Sequence, residues 1–183
     1  VGEADGLMAI SSGLGGYTPP GLVLVKSQTI GSAVSTVTIS DCFSSNYDNY
    51  RITVSGTVAS GAGNAMTFTT SSGGTASTTG WYGNTFYIVT GASGSLSNAT
   101  FSNNGFSECG SITTSTGGNS MIFDVQAPFA SEYTRVQFHS ADAAYMRFGQ
   151  FVHQVASSYD GFRISTYGVT LTGGTIRVYG YRN

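Results

Sequence analysis

Charge is scarce in this sequence. Only 9% of its 183 residues are Asp, Glu, Lys or Arg, against about 25% in an ordinary soluble domain, and Lys26 is the one lysine. A surface kept soluble by interspersed ionic side chains is therefore excluded, and much of it is expected to be covered. A net charge of -2, a pI of about 5.5 and the lack of any basic run argue against nucleic acid as a partner, because that affinity is built on neutralising phosphates. Long apolar stretches are missing too. None approaches the ~20 residues that cross a bilayer as a helix, so no membrane role is expected, and the opening VGEADGLMAISSGLGGYTPPG lacks the basic and apolar segments of a secretion signal.

Cysteine is equally sparse. Cys42 and Cys109 are too few for a disulfide framework and too far apart for a zinc motif, and they read as buried core thiols, with a single bridge between them left open. Only two histidines exist, both on alternating runs. His139 falls out of phase with Val136 and Phe138, on a polar face. The nine acidic residues are scattered, and the metalloprotease, nucleophile-elbow, phosphate-loop and EF-hand patterns are all absent. The expectation is a protein that is not an enzyme and uses no cofactor and no metal. Asp41 and Asp48, the two acids of one polar-aromatic segment, fall short of the six or more oxygen ligands that a hard cation takes.

What the sequence does have is Gly, Ser, Thr and Asn around β-forming residues, with aromatics at 13%. From Gly21 onward the apolar residues recur with period two: GLVLVKSQTI, AVSTVTIS, NYRITVSG, AMTFTT, GWYGNTFYIVT, SMIFDVQ, TRVQFHS, MRFGQFVHQV, GFRIST and TIRVYGY. These are about ten candidate strands, and no window keeps helical spacing. A chain of this length buries roughly 70% of the surface its unfolded form exposes. Short strands between turn-rich loops predict an all-β, antiparallel β-sandwich, jelly-roll-like, over residues 21–183. Residues 1–20, with no sustained period and ending in Pro19-Pro20, predict an extended N-terminal arm. Two polar segments, 71–80 and 91–105, are expected to be surface loops.

The segment CFSSNYDNYRITVSG gathers Asp41, Tyr47, Asp48, Asn49, Tyr50 and Arg51. Asp and Asn bond their own backbone in turns, and alternation sends Tyr50, Ile52 and Val54 inward and Arg51 and Thr53 outward. It reads as a turn followed by a strand start. The densest aromatic patch is Trp81, Tyr82, Phe86 and Tyr87. It suits a protein partner or a stacked sugar, yet alternation places Tyr82 and Phe86 on one face and Trp81, Thr85 and Tyr87 on the other, and one face of a strand should fill the core.

Residues 20–56, PGLVLVKSQTIGSAVSTVTISDCFSSNYDNYRITVSG, together with TGGTIRVYGYRN at the far end, resemble the β-rich structural proteins of tailed bacteriophages, the capsid decoration and fibre-tip families. The resemblance covers the first strand group and the last strand, and the middle only in style. It implies a jelly-roll-like virion protein that assembles as a homotrimer in the host cytoplasm and brings no catalytic residues. As a capsid cement protein it would bind the major capsid protein or another virion protein, with the arm, including Tyr17, Pro19 and Pro20, reaching onto a neighbour. As the tip of a tail or head fibre it would contact a host glycan through Trp81, Tyr82, Phe86 and Tyr87. The lack of heptads or triple-helical repeats before the β domain favours the head.

Overall fold

The computed structural model describes residues 21–61, 64–89, 96–105, 107–114, 119–142 and 145–182. The expected arm, with Tyr17, Pro19 and Pro20, lies outside them. Among the described residues the strands in chain order are β1 (Gly21–Thr29), β2 (Thr36–Ile39), β3 (Asn49–Ala59), β4 (Asn64–Ser72), β5 (Thr75–Ala76), β6 (Trp81–Val89) and β7 (Leu96–Asn104). They continue with β8 (Ser107–Ile112), β9 (Asn119–Gln126), β10 (Thr134–Ala141), β11 (Tyr145–His153), β12 (Gly161–Thr166), β13 (Leu171–Thr172) and β14 (Thr175–Arg182). All ten alternating runs are strands. Four more, β5, β7, β8 and β13, have little apolar content. The loop expected at residues 91–105 is thereby corrected over Leu96–Asn104. That segment is an edge strand, whose side chains alternate between exposed and half-buried positions, and its backbone ladder to β6 orders it without an apolar row. Residues 71–80 likewise open with the end of β4 and a tight turn through Gly73 and Gly74 into β5.

The larger sheet runs β1-β14-β3-β9-β10-β11-β6-β7, with β13 also on β3; the smaller runs β2-β12-β4-β5, with β8 also on β4. Strand pairing is antiparallel throughout, and the two sheets pack face to face as an all-β antiparallel sandwich. Each inner row follows from alternation. Tyr50, Ile52 and Val54 on β3, Met121, Phe123 and Val125 on β9, and Val136 and Phe138 on β10 meet Ile39, Phe68, Phe162 and Ile164 of the smaller sheet in one buried cluster.

Five rings close a circuit at its centre. Phe68 stacks on Phe123 at 5.3 Å, Phe123 lies 6.4 Å from Phe138, Phe138 stacks on Phe151 at 5.1 Å, and Trp81 stands edge-on to both Phe151 and Phe68 at 6.0 Å. Phe162 stacks on the free side of Phe68 at 5.4 Å. The circuit joins the smaller sheet, through β4, to four neighbouring strands of the larger one. Gly149 on β11 makes room for it: a methyl there would overlap the backbone oxygen of Asn84 and press on the Phe138 ring.

The polar-aromatic segment before β3 carries the chain from one sheet to the other. Asp41 takes a left-handed φ of 52°, the amides of Cys42 and Phe43 donate to Asp160 O, and the Tyr50 hydroxyl donates to Ser44 O while accepting from Ser44 N. Tyr47 lies over Gly180, where any Cβ would overlap its ring. The turn-and-strand reading of this segment holds. Cys42 and Cys109 are free thiols in the core; burial pushes the Cys42 thiol up to about 12 and raises Cys109 further, so neither is a nucleophile at neutral pH.

Removing the ring common to both sheets tests this packing. Phe68→Ala is expected to cost about 3–5 kcal/mol of unfolding free energy, measured by urea denaturation, whereas Phe86→Ala, on the outer face, should cost much less.

Candidate functional site

With the inner face of the larger sheet filled, its chemistry lies on the other side. Strand register arranges the outward side chains in rows across the sheet. One row is Asn49, Gln126, Arg135, Val152 and Tyr82 on β3, β9, β10, β11 and β6; the next is Tyr179, Arg51, Asp124, Gln137, Gln150 and Asn84. Between them lies an open groove of about 370 Å³ lined by Tyr82, Asn84, Gln126, Arg135, Gln137 and Gln150. A second hollow of about 450 Å³ shares Gln126 and Gln137 and extends to Asp124 and Tyr181. Among the described residues, the side-chain amides of Gln126, Gln137 and Gln150 make no hydrogen bond to the protein.

Charge at the far end of this trough is already matched. Arg51 binds Asp124 with two nearly parallel hydrogen bonds, Nε to Oδ1 and Nη2 to Oδ2, both 2.8 Å, and the Tyr181 hydroxyl donates to Oδ1 at 2.7 Å. Partial burial alone would raise the Asp124 carboxyl, but the hydrogen bonds from Arg51 and Tyr181 outweigh it and hold the group below its ordinary value. The pair is partly exposed, with side chains 37% and 31% accessible, so its contribution to stability is about 1 kcal/mol or less. Arg135 differs: its Nη1 donates to Tyr133 O at 3.3 Å, and among the described residues no carboxylate pairs with it.

Beside the trough the same face turns apolar. Ile122, His139, Phe148 and Phe86 form one row and Ala141, Met146, Ile88 and Leu96 the next. Ile122 is 38% exposed, Phe148 40%, Met146 53% and Leu96 57%, and Phe86 stacks on Phe148 at 5.6 Å. These are large apolar side chains in adjoining positions, open to solvent.

The aromatic segment read from the sequence divides between faces. Tyr82 and Phe86 share the outer face, as their phase predicts. Trp81 is a correction to the expected surface patch: it is fully buried, because its phase points it at Phe68 and Phe151, so it cannot stack on a ligand. Tyr87 lies on the same side of β6 as Trp81, its ring 5.0 Å from the Arg147 guanidinium carbon. The four residues therefore do not form one site. Missed by sequence reasoning were Gln126, Arg135, Gln137 and Gln150, which come from three strands; their one signal is that they occupy the out-of-phase positions of β9, β10 and β11.

His139 is exposed on the outer face, but His153 is fully buried. Its ring stacks on Trp81 at 4.6 Å and its Nε2 lies 2.9 Å from both Thr79 O and Ser77 Oγ. Donation to the Thr79 carbonyl fixes the Nε2-protonated tautomer. Among the described residues no group of three or more His, Cys, Asp or Glu is placed to hold a metal ion. Comparison with protein-family models, curated proteins and solved structures finds no match to the chain.

Burial lowers the pKa of His153 from its ordinary 6.5. The unfolded chain therefore takes up a proton at a pH where the native ring is still neutral, so this contribution to stability is full above about 6.5 and is lost as the pH falls through the depressed native value. Thermal melts across that window should show a midpoint that drops on acidification, and His153→Gln should flatten the slope. Asp124 acts in the same direction only at lower pH, through the carboxylate range.

Proposed function

We propose that the chain is a non-enzymatic structural protein of a tailed-phage virion, a jelly-roll-like sandwich that assembles as a homotrimer and docks on the capsid lattice as a cement or decoration protein. The observation that supports this reading is the apolar corner of the outer sheet face. Ile122, Met146, Phe148 and Leu96 are exposed on neighbouring strands in a chain with little charge to keep such a surface in solution. Burying that corner against a protein neighbour would remove the apolar area from water, at roughly 25 cal/mol for each Å² covered. The edge strands β1 and β7 bound the same sheet, and unpaired edges are what subunit association covers. The sequence resemblance supplies the virion context.

A photoreactive benzoylphenylalanine placed at Phe148, in virions of a phage that encodes this chain, tests the reading. The expected product is an adduct to a capsid protein or to a second copy, whereas the same group at Tyr167, exposed beside the smaller sheet, should give none. Adducts from Tyr167 alone, or absence of the chain from purified particles, would contradict it.

A further inference from the structure

We propose that the polar trough on the outer sheet face, from Tyr82 to Asp124 and Tyr181, is a binding site for an extended oligosaccharide that carries carboxylate groups. The inference does not depend on the virion reading, because it rests on side chains separate from the apolar corner.

Three observations carry it. The first is shape. The two hollows share Gln126 and Gln137, so one depression runs from β6 to β14 across β11, β10, β9 and β3, and five interstrand spacings make it about 24 Å long. A cleft of that length, open at the top and without a deep pocket, accommodates a chain of sugars lying across the strands.

The second is the hydrogen-bonding inventory. A sugar ring presents hydroxyls that both donate and accept, and a primary amide offers two donors and an acceptor with two lone pairs on one planar group. Gln126, Gln137 and Gln150 project from three adjacent strands, and their amides have no protein partner among the described residues. Tyr82 adds a ring body for the apolar C–H face of a sugar and a hydroxyl for its rim. A protein partner would leave these amides needing matched groups, whereas a polyhydroxylated chain satisfies them at almost any register.

The third is charge. Arg135 sits in the middle of the floor with only the Tyr133 carbonyl as partner, while the nearby Asp124 carboxylate is occupied by Arg51 and Tyr181. The trough thus presents one available guanidinium and a neutralised acid. A guanidinium pairs in forked geometry with a carboxylate, so the trough selects glycans bearing uronate or sialate over neutral ones. Only Tyr82 is common to this site and to the aromatic patch suggested by sequence.

The test is a glycan array holding uronate-bearing, sialate-bearing and neutral oligosaccharides, followed by calorimetry on the strongest binder. Expected is binding confined to carboxylate-bearing chains, reduced at least tenfold by Arg135→Gln and by Gln137→Ala, and unchanged by Phe148→Ser in the apolar corner. The exposed positions of Arg135 and Gln137 leave the fold intact, which an unchanged melting curve would verify. Binding to neutral glycans alone, binding insensitive to both trough variants, or no binding to any of the three glycan classes would overturn the proposal.

Discussion

Everything on the outer face depends on how Phe68 is held. Its ring lies between Phe123 and Phe162 and meets Trp81 edge-on, so one side chain of the smaller sheet is locked against β9 and β6 of the larger. Offset and edge-to-face ring pairs each add about 0.5–1.5 kcal/mol beyond the area they bury, and here they close a circuit. A strand gripped on its inner side has little freedom to rotate. The outward residues of β9, β10, β11 and β6 are accordingly displayed in fixed rows, and a precise polar row is what a binding surface on a rigid sheet requires.

The same constraint explains why one sheet face carries all the candidate chemistry. Period-two alternation commits half of each strand to the core, and in this chain the inward half takes the buried rings Tyr50, Trp81, Phe123, Phe138 and Phe151. The outward half carries amides, arginines, the rings of Tyr82, Phe86, Phe148 and Tyr181, and a few aliphatic residues. Those split by strand position into a trough with matched charge at one end and an apolar corner toward β7.

The strands with apolar alternation were legible in the sequence because burial imposes the period; Tyr50, Ile52 and Val54, or Met121, Phe123 and Val125, could hardly pack otherwise. β7 and β8 were not, because an edge strand and a short strand clamped by its neighbour are ordered by backbone pairing, which leaves no apolar signature. The candidate site was legible only in Tyr82. Gln126, Arg135 and Gln150 are brought together by register across β9, β10 and β11, and register between strands is set by turns and core packing, not by any local pattern. Trp81 misled for the opposite reason: its density of aromatic neighbours in sequence suggested a surface, while its phase set it on the face opposite Tyr82 and Phe86, and one of those two faces had to fill the core.

The central claim is that the outer face of the larger sheet is the working surface. A cryo-electron microscopy reconstruction of the chain on the proposed virion measures this most directly. The account expects Ile122, Met146 and Phe148 to be covered by a neighbouring subunit, with the smaller sheet facing solvent. An attached chain whose larger sheet stands open while β2 and β12 make the contact would contradict it.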